Sequence, residues 1–320
     1  MSRQYDLVVL GEINVDLILT GDAEPAWGQA EKVVDDARLV PGGSSTIFAA
    51  GAARLGLRTA FVGVTGDDLF GAFMRDHLQA AGVDTTHVIT DPNIRTGLTV
   101  ILSRSDGERA LLTYLGSIAA LRAEQVETGL LEATRYVHVG SYFLQHALQP
   151  GLPALFARAR AADAVTSLDT NWDPSGRWNT GLQAVLDHTD VFLPNEREAQ
   201  AIAGHDDVAR ALEALAARVP VVAIKRGTAG AVAARGDERT TSQIVEVTAV
   251  DATGAGDSFD AGFIAALARG LSLSDALDIA TACGSLSTRA VGGTAAQATW
   301  DEALRAAGKP DPCPPQLLTS

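Results

Sequence analysis

Six short apolar runs recur along the chain: Leu7 to Leu10, Ala60 to Val64, Tyr136 to Val139, Val165 to Leu168, Val191 to Leu193 and Val221 to Ile224. They show little alternation of apolar and polar residues, the pattern of strands buried on both faces of a parallel sheet. Parallel neighbours need crossovers, and helix-like segments stand where crossovers are required: Ile47 to Leu55, Phe70 to Ala81, Leu152 to Ala162, Glu196 to Ala203 and Val208 to Ala217. This order predicts an α/β fold with a central, mostly parallel sheet covered by helices on both faces.

Two segments break the rhythm. Gly97 to Leu102 and Arg109 to Tyr114 flank Asp106-Gly107, a pair suited to a hairpin turn. Val15 to Val40 is broken by Gly21, Pro25 and Gly28 and reads as strands that leave the main sheet. Together they are expected to form a small β-lid, although a plain hairpin with no lid role accounts for the same residues. The expected division is a core of residues 1–12, 41–92 and 118–309, a lid of 13–40 and 93–117, and a poorly ordered tail over 310–320.

Charge and cysteine usage exclude several classes of function. A formal net charge of −14 opposes a surface built to neutralise nucleic-acid or lipid phosphates, so neither partner is expected and any anionic ligand must be met locally. Cys283 and Cys313 form no disulfide framework and have no metal-ligand spacing. The first twenty residues carry Glu12 and Asp16 and lack a basic n-region, and no apolar run is long enough to span a bilayer. The expected location is the cytoplasm.

The most informative stretch is Val250-Asp251-Ala252-Thr253-Gly254-Ala255-Gly256-Asp257-Ser258-Phe259, which runs into an Ala-rich apolar segment. Gly254 and Gly256 let the backbone turn tightly, and a following helix offers unpaired N–H groups and a positive dipole end, which together bind an anion. Asp257, in the first turn, is open to two readings: a carboxylate capping the helix, or a base accepting the proton of an attacking hydroxyl beside a bound phosphoryl group. Upstream, Asn195 and Glu198 lie one turn apart at the opening of a helix; they suit Mg²⁺ beside substrate phosphates, and equally a capping box. Lys225, Gly227 and Gly230 follow a strand and offer a cation and backbone donors to nucleotide phosphates, or form an ordinary basic turn. There is no Gly-x-x-x-x-Gly-Lys-Ser/Thr sequence, and Gly11-Glu12-Ile13-Asn14 stands where a dinucleotide fingerprint would follow the first strand. A Walker-type site and a nicotinamide dehydrogenase are therefore disfavoured.

The ordered set of motifs resembles the ribokinase-like (PfkB) family of carbohydrate kinases over nearly the whole chain. Gly11-Glu12 followed by Asp16 resembles the family's first strand, Pro41-Gly42-Gly43 its di-glycine signature, Asn195 and Glu198 its Asn-x-x-Glu motif, and Asp251 to Asp257 its Asp-Thr-x-Gly-Ala-Gly-Asp signature, with Ala252 for the usual Thr. The resemblance implies an ATP- and Mg²⁺-dependent kinase that transfers the γ-phosphoryl group to a hydroxyl, usually primary, of a sugar or sugar derivative. Asp257 would then be the base, and Gly254, Ala255 and Gly256 the anion hole. Asn14, Asp16, Gly42, Gly43 and Ser44 would meet the substrate. Asn195, Lys225, Gly227, Gly230 and Thr253 would meet the nucleotide, and Glu198 with Asn195 the Mg²⁺ through water. Asp251 and Thr253 match positions that in some members help hold a monovalent cation, which leaves K⁺ activation open, and pairing of lid edges leaves a homodimer open.

Ile47 departs from the family: it stands where many members carry an Asn that touches the sugar, so a hydroxyl read there is absent or is read by neighbours such as Ser45 and Thr46. Asp169 and Asn171 resemble an Asp-x-Asn segment near the phosphates, Ser141 and Tyr142 could face the sugar, and His138 is read as a core histidine. A nucleoside kinase of the same family and a non-catalytic sugar-binding regulator on the same fold are the competing readings.

Overall fold

The computed structural model describes residues 3–104 and 108–310. The strands are β1 (Tyr5–Leu10), β2 (Asn14–Thr20), β3 (Asp36–Gly42), β4 (Thr59–Val62), β5 (Val64–Gly66), β6 (Ile89–Asp91), β7 (Gly97–Ser103), β8 (Arg109–Tyr114), β9 (Thr134–Val139), β10 (Val165–Leu168), β11 (Val191–Phe192), β12 (Val221–Lys225), β13 (Ala231–Arg235) and β14 (Glu238–Ser242). The helices are α1 (Ser44–Arg54), α2 (Leu69–Ala80), α3 (Thr128–Glu132), α4 (Leu152–Ala161), α5 (Leu182–Leu186), α6 (Glu196–Ala203), α7 (Val208–Ala216), α8 (Ala255–Ala268), α9 (Leu273–Ser287) and α10 (Trp300–Ala306).

Eight strands form the central sheet in the order β14-β13-β12-β11-β10-β9-β1-β4. The six from β12 to β4 run parallel, and β13 and β14 are added antiparallel at one edge. The apolar runs lack alternation because both faces are covered: Leu7 and Val9 enter a core shared with α1, α8 and α9, while Val8 and Leu10 enter one shared with α4 and α7. Helix α8 is buried nearly all round, which is why its Ala-rich stretch shows no polar stripe.

The run Ala60 to Val64, expected as one strand, is divided at Gly63 between two sheets. A Cβ on Gly63 would come within 2.7 Å of the Gly11 carbonyl oxygen, so the chain can pass β1 closely only there and then turns away to pair β5 with β6.

The two irregular segments meet in a separate four-stranded sheet, β3-β2-β7-β8. The β7–β8 hairpin is antiparallel, and β2 joins it in parallel, with Asn14 opposite Gly97 and Asp16 opposite Thr99. All six residues of β8 are exposed. The hairpin pair Asp106-Gly107 and the tail from residue 311 onward lie outside the described residues. Among the described residues, no helix is long and apolar enough to cross a membrane.

Candidate functional site

Strand order reverses direction at β1, which lies between β4 and β9, and the segments leaving the carboxyl ends of β1, β9, β10 and β11 diverge there to leave a crevice. Glu12 follows β1, Ser141 follows β9, Asp169 and Asn171 follow β10, and Asn195 follows β11. The four-stranded sheet covers one side. The open cleft there, about 270 Å³, has polar walls from Glu12, Asn14, Asp16, Ser44, Asn171 and Asp257 and aliphatic ones from Ile47, Ile101, Leu111, Ile118 and Leu144.

Glu12 organises the sheet side of this cavity. Its buried carboxylate accepts from the Ser45 amide at 3.0 Å and from the Ser141 hydroxyl at 2.8 Å, and burial still raises its pKa despite those bonds. Asn171 donates in turn to Ser44 Oγ at 3.0 Å and Ser141 Oγ at 3.2 Å. Ser141 and Asn171 both adopt left-handed backbone, with φ of 51° and 53°, strain that the hydrogen-bond network holds in place. On β2, Asn14 Nδ2 donates to Asp16 Oδ1 at 3.0 Å; burial, then the nearby Glu12 charge, push Asp16 up to about 7. The di-glycine is sterically required, since a Cβ on Gly42 would overlap Asp16 and one on Gly43, at φ 80°, would crowd Asn14.

Gly254 adopts φ 71° and caps α8, and Thr253, Gly254 and Asp257 line the cavity at the positive end of this long helix. A Cβ there would strike Gly293 and Ile47, which gives Ile47 its place: it packs under the turn and lines the cavity. Asp257 occupies the third position of α8, and no side-chain bond caps the helix. Burial raises the Asp257 pKa to about 7, aided by the charges of Asp169 and Glu12 and opposed by Lys225.

Lys225, expected at nucleotide phosphates, lies half-buried beneath this turn. Its Nζ donates to Asp169 Oδ2 at 2.8 Å and to Asp260 at 2.9 and 3.1 Å, and it sits about 3.7 Å from where a Gly256 Cβ would lie. Both carboxylates hold the ammonium protonated against burial; Asp169 is lowered, and burial raises Asp260 well above the usual range. Asp260, one turn after Asp257, escaped the sequence reading, although a carboxylate inside an otherwise apolar helix is itself a legible sign of a buried ion pair.

Asn195 and Glu198 form the capping box. Asn195 Oδ1 accepts from the Glu198 amide at 3.0 Å, and Glu198 accepts from the Asn195 amide at 2.9 Å and its Nδ2 at 2.5 Å. A bridge pairs Asn195 with Lys225, whose side chain lies under the glycine turn. Glu198 is only 2% exposed, and burial followed by Asp169 raises it to about 7, a cost that a surface cap would not bear. Among the described residues, no three His, Cys, Asp or Glu side chains converge as a metal centre, so a divalent cation there would need water and phosphate oxygens as well. Gly227 and Gly230 lie in the turn into β13, where the Arg226 amide donates to the Gly230 carbonyl at 2.8 Å, and neither lines the cavity.

Arg109 also went unread; it reaches from β8 to Asp251 and Thr253. His138 stacks on Phe48 at 3.7 Å, shares a hydrogen bond with Ser167, and is pushed down by burial to about 3, so it is a neutral core histidine.

Residues 4–300 match the model of the pfkB family carbohydrate kinases. The chain is 32% identical over 315 residues to a fructokinase of Klebsiella pneumoniae, covering 93% of this chain and 97% of that one. Its fold matches that of an Arabidopsis thaliana ribokinase complexed with ribose and ATP, with a TM-score of 0.82, 23% identity and coverage of 96% and 99%. A candidate ribokinase II from Escherichia coli, solved in complex with ATP and Mg²⁺, aligns with a TM-score of 0.85 at 24% identity, covering 94% and 98%. The carboxyl-end crevice, the covering sheet and the sequence match agree: this chain belongs to the pfkB family of carbohydrate kinases, phosphotransferases with an alcohol group as acceptor.

Proposed function

We propose that this kinase transfers the γ-phosphoryl group of ATP to a hydroxyl, most simply a primary one, of a sugar or sugar derivative held in the 270 Å³ cavity. The observation that carries this reading is the half-buried Asp257 carboxylate on the cavity wall, one helical position beyond the Gly254-Ala255-Gly256 turn. Asp16, Asn14, Ser44 and Asn171 would orient the sugar hydroxyls, with Gly42 and Gly43 allowing the close approach. Asp257, poised near neutral pH, would accept the proton of the attacking hydroxyl, while N–H groups of the glycine turn hold the charge developing on the transferred group. Oxygen ligands at buried Glu198 and half-buried Asn195 suit a magnesium ion approached through water, and such an ion would neutralise phosphate charge when bound. Lys225 would act from beneath, as a fixed cation under Gly256, rather than as a direct phosphate ligand.

The five aliphatic walls favour an acceptor with one face poor in hydroxyls, such as a deoxy sugar, because Ile47 and its neighbours cannot pair a hydroxyl turned towards them. The four-stranded sheet would serve as the lid that excludes water. A second copy of the chain would pair through the exposed β8 edge, which carries Leu111, Leu112 and Tyr114. The test is a panel of sugars, deoxy sugars and nucleosides with purified protein, ATP and Mg²⁺, following product formation. Transfer to a sugar is expected; a nucleoside as preferred acceptor would move the reading to the other branch of the chemistry, and an Asp257→Asn variant as fast as the parent would overturn it.

A further inference from the structure

Arg109 is the one cation among the described residues lining the cavity. It comes from the exposed strand β8, and its guanidinium crosses to the segment that leads into the glycine turn. Nη2 donates to Asp251 Oδ1 at 2.6 Å and Nη1 to Thr253 Oγ1 at 2.7 Å. The receiving group is pre-aligned. Asp251 Oδ1 also accepts from the Thr253 amide at 2.9 Å and the Thr253 hydroxyl at 2.8 Å, and Oδ2 accepts from the Gly292 amide at 2.9 Å. The Asp251 side chain is only 8% exposed and the Arg109 side chain 31%, so the pair is partly shielded from water on the carboxylate side. Thr253 directly precedes Gly254, where the backbone takes its left-handed turn into α8.

We infer that Arg109 is a positioning residue: its guanidinium fork fastens the four-stranded sheet to the Asp251–Thr253 segment when the acceptor pocket is closed, and supplies there the positive charge that a monovalent cation would otherwise bring. The donor set argues against such an ion. Asp251 Oδ1 accepts from Arg109 and twice from Thr253, and the Thr253 hydroxyl already donates to Asp251 and accepts from Arg109, so an ion bound through these two oxygens would have to expel the guanidinium. A planar fork tied to two oxygens on one segment fixes orientation as well as distance, which a point charge does not. The fastening role rests on the proposed kinase reading of the pocket; the resident-charge role stands independently of it.

The test compares the parent protein with Arg109→Met and Arg109→Lys, measuring kcat and KM for the best acceptor, acceptor-independent ATP hydrolysis, and the melting temperature in KCl against tetramethylammonium chloride at equal ionic strength. For the parent, kcat/KM and melting temperature should be the same in both salts. Arg109→Met should lose about 10²-fold in kcat/KM, the scale of a displaced catalytic geometry. It should also divert a larger share of turnover to hydrolysis and recover part of the loss on adding guanidinium chloride, and the Lys variant should stay impaired. A parent enzyme activated several-fold by K⁺, or one that melts higher only in KCl, overturns the resident-charge role. An Arg109→Met variant with parental kcat/KM and hydrolysis overturns the fastening role. Failure of the kinase reading itself would appear as a parent protein that phosphorylates no acceptor in the panel, and the melting comparison then still decides the resident-charge role.

Discussion

The carboxylate of Asp16 occupies the space in which a side chain on Gly42 would begin, across the antiparallel ladder that pairs β2 with β3. Gly42→Ala must therefore displace Asp16 from the cavity wall. The expected cost is about 1–3 kcal/mol of stability, the scale of overpacking a filled site. It should come with a KM for the acceptor raised far more than the KM for ATP. Steady-state kinetics with each substrate varied in turn checks this; parallel rises in both KM values would contradict it.

Asp257 must be ionised to accept a proton, and its pKa stands at about 7. Acceptor kcat/KM should accordingly rise with pH through that region and level off above it. Asp257→Asn should lower kcat by about 10²–10⁴-fold, the usual worth of a general base. A flat profile between pH 5.5 and 8.5 in the parent would remove Asp257 from the role.

Stability should move the opposite way with pH. Asp16, Glu198 and Asp257 all have folded-state values near 7, above those of an exposed carboxyl, so the folded protein holds their protons more tightly than the unfolded chain. Their contribution is fully present below about pH 4 and is lost as pH rises through about 7. Asp257→Asn removes one of these penalties and should raise the melting temperature by a few degrees at pH 8, on the order of 2–4 °C per kcal/mol, with little change at pH 4. Melting curves at the two pH values decide it.

Removing the cation under the glycine turn should be severe. Lys225→Met leaves Asp169 and Asp260 buried without their partner, and breaking a buried pair this way costs about 3–5 kcal/mol. A Lys225→Met/Asp260→Asn double variant should regain part of that loss, because one uncompensated carboxylate is gone. Urea unfolding of the single and double variants measures the difference, and additive losses would refute the coupling.

At Glu198, capping and ion binding can be separated. Glu198→Gln keeps an oxygen for the Asn195 amide but loses the acceptor for Asn195 Nδ2, so stability should fall by about 1–3 kcal/mol, whereas the Mg²⁺ concentration for half-maximal rate should rise about 10–100-fold. Titration of Mg²⁺ at fixed ATP is the check.

Much of this arrangement is legible in residue order. The unalternating runs at Leu7 to Leu10 and Val165 to Leu168 mark doubly covered strands, because solvent on neither face leaves no selection for polar alternation. Gly254-Ala255-Gly256-Asp257 at a helix start is readable because tight turns and helix ends are local, decided by neighbouring residues. The lone Asp260 in an apolar helix was equally open to reading. What the chain order cannot express is which distant residues meet. Lys225 turning to Asp169 and Asp260, Glu12 gathering Ser45 and Ser141, and Arg109 reaching Asp251 across 142 positions depend on strand order and on the angle at which the second sheet covers the first. Local sequence thus determined the elements and the chemistry available at their ends. Only tertiary packing decided which charges were buried together, and through burial and pairing it set which carboxyls stand near 7.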